Sequence, residues 1–262
     1  MNTLYANGCS LTFGMEILGD YSYDPKNLSL AWPRALADLH GIKSVTNAAY
    51  CGASNEFILR RTITDLLTRA EQGEDPKDVL VVIGWSSVCR QEINLTTLIK
   101  RLVAQRDMAD DNFRMDKFRS YGDHGSVFMN AGFQQWITLL NGRKYQLFDP
   151  LRPLFQELIW DDRTEMNRWA VQQIALADFL SARGYRWLMF NTVHTMEWQH
   201  LEQPVADQLK RVRFYKPDWA FQPWVNRFYP DNKRACGHPD AVPHQALAHS
   251  LYDYMQTNAL IA

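Results

Sequence analysis

Short apolar runs alternate with amphipathic stretches along most of the chain, and the two have different periods. Residues 3–8, Thr3-Leu4-Tyr5-Ala6-Asn7-Gly8, read as a first strand, and residues 43–47 read as a second. The clearest strand spans 78–84, where Val79, Leu80, Val81, Val82 and Ile83 run without a polar break. A continuous β-branched run is what a centre strand needs when helices cover both of its faces. Residues 185–191 repeat that character through Trp187, Leu188, Met189 and Phe190. Between the strands the spacing becomes helical. Leu30, Trp32, Leu36 and Leu39 mark a helix over 30–40 that Gly41 stops, and Phe57, Ile58, Ile63, Leu66 and Leu67 line one side of another over 55–70. Residues 163–183 are helical up to a capping Gly184, and a last helix runs over 241–256.

Strand–helix alternation of this kind predicts an α/β chain, a parallel sheet sandwiched between two helical layers. Two segments depart from it. Residues 93–160 hold helical pieces without the alternation and read as an insertion over the sheet's end. Residues 214–230 gather Phe214, Trp219, Phe221, Trp224, Phe228 and Tyr229 with proline, and read as an irregular lid or loop.

Composition narrows the function classes. A length of 262 residues with 46% hydrophobic and 22% charged residues suits one globular domain, 1–262. There is no internal repeat. With 28 basic against 29 acidic residues the net charge is −1, which removes the clustered positive charge that nucleic acid requires. The densest basic stretch, Lys210-Arg211-Val212-Arg213, reads as a solvated helix end. No apolar run approaches the roughly 18 residues of a membrane span, and no charged start leads into a signal-like core. A cytoplasmic location is the expectation. Cys9, Cys51, Cys89 and Cys236 show no Cys-x-x-Cys spacing and read as free thiols.

Candidate chemistry begins directly after the first strand, at Asn7-Gly8-Cys9-Ser10-Leu11-Thr12-Phe13-Gly14. Ligands of open α/β sheets sit beyond the carboxyl ends of strands, so Ser10 stands where chemistry occurs. Gly8 permits a tight turn, and the amides that follow suit a developing oxyanion. A serine there is also an ordinary helix cap.

Three later segments change that balance. Gly8-Cys9-Ser10-Leu11 resembles the first block of the SGNH (GDSL-type) hydrolases, with cysteine in place of aspartate. Gly52, in Tyr50-Cys51-Gly52-Ala53-Ser54-Asn55, resembles the second block, and Gly84-Trp85-Ser86 the third, with serine in place of asparagine. Gly237-His238-Pro239-Asp240, leading into a helix with Ala248, resembles the fourth. The four stand in family order and span nearly the whole chain. The resemblance implies a flavodoxin-like three-layer α/β/α sandwich with a mainly parallel five-stranded sheet. It also implies an esterase or acylhydrolase that needs no cofactor or metal and takes a small acylated substrate, with O-acetylated carbohydrates among the candidates. Ser10 would be the nucleophile and His238 the base. Gly52, Ser10 and Ser86 would form the oxyanion hole.

The same resemblance marks two departures. The family's aspartate three residues before the histidine is Ala235 here, so the orienting role falls to Asp231 first, or to Asp240, a backbone carbonyl or no group. A serine hydroxyl at Ser86 reaches less far than an asparagine amide, which leaves Asn55 as a substitute or substrate contact. Arg90 is a candidate contact for a substrate carboxylate or phosphate, against an ion pair with an acid such as Glu92. His244, on the last helix, rivals His238.

Other readings stay open. An α/β-hydrolase with Ser86 as nucleophile would need a glycine at Val88, where a β-branched residue crowds the elbow. A zinc site from Cys236 and His238 joined by Cys9 and Cys51 has only one closely spaced ligand pair. A pocket that kept its shape and lost its chemistry would make a binding protein, with the 214–230 aromatics as its surface.

Overall fold

Asn7 shows how the sheet is built. It lies in the first strand, is fully buried, and donates its side-chain amide to Ile58 O at 3.2 Å and Thr62 Oγ1 at 3.0 Å, both on a neighbouring helix. Its Oδ1 accepts from the Gly8 N–H at 2.8 Å. A polar residue can hold a central strand position because every group on its side chain has a partner.

The structure is a computed structural model and describes residues 1–19, 25–94, 126–130, 136–138, 144–146, 161–235 and 237–260. The chain divides into two compact units, Met1–Val88 with Asp162–Ala262, and Cys89–Asp161. In the first, β1 (Thr3–Gly8), β2 (Ser44–Asn47), β3 (Val79–Trp85) and β8 (Arg186–Asn191) form one sheet in the order β2-β1-β3-β8. All three pairings are parallel. Among the described residues this sheet has four strands rather than the five expected. The second unit contains two antiparallel pairs, β4 (Arg90–Asn94) with β5 (Ser126–Asn130) and β6 (Trp136–Thr138) with β7 (Lys144–Gln146).

Strand alternation assigns the helices of the first unit to layers. Tyr5 and Asn7 of β1 bond to α4 (Asn55–Glu71), Tyr185 OH donates to Leu66 O of the same helix, and Trp187 Nε1 donates to Ser181 Oγ of α5 (Asp162–Ala182). These odd-numbered positions share one face in the observed register. On the other face Phe190 meets Trp32 of α3 (Trp32–Leu39) edge to face at 5.2 Å, and α3 packs on α8 (Ala241–Thr257). The first unit is therefore a three-layer α/β/α sandwich.

Local chemistry sets the helix starts. Ser54 caps α4 by accepting the Phe57 N–H, and Asp240 caps α8 by accepting the Val242 N–H. Two short helices, α1 (Ser10–Phe13) and α2 (Pro25–Leu30), precede α3, and α6 (Gln203–Leu209) follows β8. The aromatic segment expected to be irregular contains a helix, α7 (Phe221–Phe228), with Phe221 and Val225 buried and Phe228 exposed.

Candidate active site

At the carboxyl end of β1 the chain turns at once into α1, so Ser10 is that helix's first residue. The turn is tight because two glycines allow it. A Cβ on Gly8 would stand 2.2 Å from Thr12 Oγ1 and 2.7 Å from Gly84 O, and one on Gly84 would stand 2.6 Å from Thr12 Oγ1. Gly8 and Gly84 are register partners, so the close approach of α1 to the sheet is made by both strands. Cys9, at the N-cap, is buried beside β8's end with its Sγ 3.4 Å from Thr192 Oγ1. A buried thiol needs no more than this weak contact, whereas a buried aspartate would need a partner for its charge.

Ser10 is 7% exposed, and its Oγ lies 2.9 Å from His238 Nε2. These residues, 228 apart in sequence, are held together by the loop that carries the histidine. Arg234 N donates to His238 O, Gln222 Nε2 to Gly237 O, and Asp240 N to Asn232 O. Arg234 Nη2 also donates to Ile17 O at 2.8 Å, tying the loop to the segment just past Ser10.

The other ring nitrogen meets an acid that lies outside all four motif segments. Glu16 Oε2 lies 2.9 Å from His238 Nδ1, on a side chain only 5% exposed. Glu16 has φ 62°, a left-handed conformation, two residues after Gly14 at φ 87°. Asp231 instead lies exposed on the turn ahead of the histidine. Asp240 spends its carboxylate on the α8 cap and on Asn232 Nδ2.

The candidate oxyanion donors divide. The β2–β1 ladder continues past β2 through Ala48 N to Ala6 O and Tyr50 N to Gly8 O, and Asn47 Nδ2 donates to Thr12 O. The segment leading to Gly52 is thereby fastened beside α1. Gly52 has φ 81°, and among the described residues neither its N–H nor that of Ser10 has an acceptor. Ser86 is fully buried, and its N–H donates to Asn55 Oδ1 at 2.8 Å. Asn55 is itself buried and turns its NH₂ toward Ser87 O at 3.4 Å, so its amide braces the end of β3. His194 adds a second brace there. Its Nδ1 accepts the Val88 N–H at 3.3 Å and lies 3.2 Å from Ser87 Oγ.

His244 is fully buried inside α8. Its Nδ1 accepts the Trp32 N–H at 3.3 Å, its ring packs against Phe221, and burial, with His238 adding a smaller push, lowers its pKa to about 3. It caps the start of α3. Arg90 begins β4 of the second unit, opposite Asn130. Cys236, needed for the zinc reading, lies outside the described residues, and among those described no group of three His, Cys, Asp or Glu is placed to hold a metal. No helix among them is long and apolar enough to cross a membrane.

A family model described as a family of unknown function (DUF6071) matches residues 15–113, a stretch containing Glu16 and Gly52 but neither Ser10 nor His238. No curated protein matches the chain. Solved structures are similar over nearly its whole length. TesA is 14% identical, with 99% of this chain and 100% of that one covered at a TM-score of 0.47. The psychrotrophic esterase EstA from Pseudoalteromonas sp. is 11% identical, with 99% of each chain covered and a TM-score of 0.47. A lipase/acylhydrolase from Enterococcus faecalis is 12% identical, with 98% and 97% covered and a TM-score of 0.43.

Proposed function

We propose that this chain is a serine ester hydrolase acting on a small acylated substrate through an acyl-enzyme on Ser10. The observation that carries the reading is the 2.9 Å contact between Ser10 Oγ and His238 Nε2, made at a strand's carboxyl end by residues 228 apart in sequence. A helix-capping serine would spend its oxygen on the N–H groups of its own first turn, whereas this one faces an imidazole.

His238 Nε2 takes the Ser10 proton as Oγ attacks the ester carbonyl. The oxyanion develops against the N–H groups of Ser10 and Gly52, which have no other acceptor among the described residues. Collapse expels the alcohol, which leaves with the proton held on His238. A water then gives a proton to the same nitrogen as its oxygen bonds to the acyl carbon; the bond to Oγ breaks, the acid leaves, and the proton returns from His238 to Ser10 Oγ. Ser86 contributes through the position of the β3 end, which its backbone fixes with Asn55. O-acetylated sugars stay among the substrate candidates.

A fluorophosphonate probe tests the reading. Ser10 is expected to label, and Ser10→Ala to abolish labelling. His238→Ala is expected to lower turnover of p-nitrophenyl acetate by about 10³-fold or more. A folded wild-type protein whose Ser10 stays unreactive would instead be a binding protein with this pocket.

A further inference from the structure

We infer that Glu16 is the positioning residue for His238, so that the third member of the catalytic set comes from the nucleophile's own turn and not from the histidine's loop. The inference rests on the hydrolase reading above and adds to it a residue with a defined task.

Four observations converge on this carboxylate. Its Oε2 is 2.9 Å from Nδ1, the nitrogen that Ser10 leaves unused. It is nearly excluded from water, so the contact is not weakened by solvent. Its backbone is left-handed at φ 62°, where a residue with a Cβ rarely settles unless its surroundings hold it. Gly14 and Glu16 together fold the chain back after α1, and Arg234 binds the next carbonyl, Ile17 O, from the histidine's side. The competing acids are otherwise placed. Ala235 has no carboxylate, Asp231 is exposed and Asp240 caps α8.

The task follows from the proton count on the ring. An ionised carboxylate accepts only, so Nδ1 must carry the hydrogen and Nε2 must present its lone pair to the Ser10 hydroxyl. When Oγ bonds to the ester carbon its proton moves to Nε2, and the imidazolium so formed is stabilised by Glu16. The proton then passes to the departing alkoxide, returning the ring to its starting tautomer. One short segment, residues 10–16, thus fixes both sides of an imidazole supplied from elsewhere in the chain.

Glu16→Gln tests this, because the amide has the same shape and can donate to Nδ1, favouring the wrong tautomer. With p-nitrophenyl acetate, kcat is expected to fall by about 10²–10⁴-fold with KM within about threefold, as when other triad acids become amides. Glu16→Asp, which keeps the charge, should recover at least tenfold of that loss. Nitrogen NMR of ¹⁵N-histidine protein gives a readout independent of turnover. Wild type should show His238 protonated on Nδ1, and Glu16→Gln should move that proton to Nε2. A wild-type Nδ1 without hydrogen would overturn the proposal even if the variant failed to fold. So would a folded Glu16→Gln protein with kcat within threefold and the wild-type tautomer. Failure of the hydrolase reading looks different: Ser10 neither labels nor turns over ester, while the tautomer spectrum still decides what Glu16 does.

Discussion

His244 sits where a charge is costly, and its effect is on stability. Its pKa of about 3 in the fold lies below the 6.5 of an exposed imidazole, with burial as the main cause. Between those values the unfolded chain binds a proton that the folded chain refuses. Stability from this group is therefore complete above about pH 6.5 and is lost as pH falls, at a slope of up to about 1.4 kcal/mol per pH unit. His244→Gln keeps an acceptor for the Trp32 N–H without the titration. Urea unfolding at pH 6.5 and 5 should show a shallower decline in the variant by about 1 kcal/mol per pH unit, and parallel declines would refute this account. Residue identities were unevenly legible. Ser10 and His238 stand in recognisable order beside glycines, and a buried imidazole such as His244 was at least visible as a rival. Glu16 carries no such sign, because its place depends on a left-handed backbone that a glutamate does not advertise. Asn55 and Ser86 were visible, but sequence order cannot say that the amide of one would be used up on the backbone of the other.

At the scale of elements, the seat of α1 on β1 and β3 is the feature most open to test. Any side chain at Gly8 meets Thr12 and the Gly84 carbonyl, and backbone cannot yield cheaply. Gly8→Ala should cost about 1–3 kcal/mol as an overpacking change and also slow labelling of Ser10 by the probe, since the helix carrying it must move. Loss of stability with wild-type labelling would mean that the strand, not α1, gives way. Thr12 itself is fully buried with an unpartnered Oγ1, so Thr12→Val should leave the thermal midpoint equal or higher. Strands β3 and β8 were readable because burial on both faces writes a continuous apolar run. Helix α7 was not, since Pro223 so near its start reads as a breaker although the first helical turn tolerates proline. Aromatic residues on both sides of that helix further hid its period.

For the whole molecule, alternation alone gave the layered α/β architecture, and the two faces of the sheet follow from strand parity. Among the described residues the place of a fifth strand holds only two isolated parallel bridges to β8, Met189 with Phe214 and Asn191 with Ala220, while residues 89–161 form a separate unit. Periodicity speaks only for elements that share one core, so it had little to say there.

The contact between Ser10 and His238 closes a loop of 228 residues. Joining ends that far apart costs a free chain on the order of 5 kcal/mol in entropy, repaid only after the intervening sheet and helices are in place. Competence of this site is therefore a late event in the life of each molecule. A chain still being synthesised has its serine turn long before its histidine, and stays chemically silent until the last helix has joined the first layer. In refolding from urea, probe reactivity at Ser10 should lag behind recovery of far-ultraviolet ellipticity, and coincident recovery would contradict this. The reactive serine then serves as a built-in report that the fold is finished.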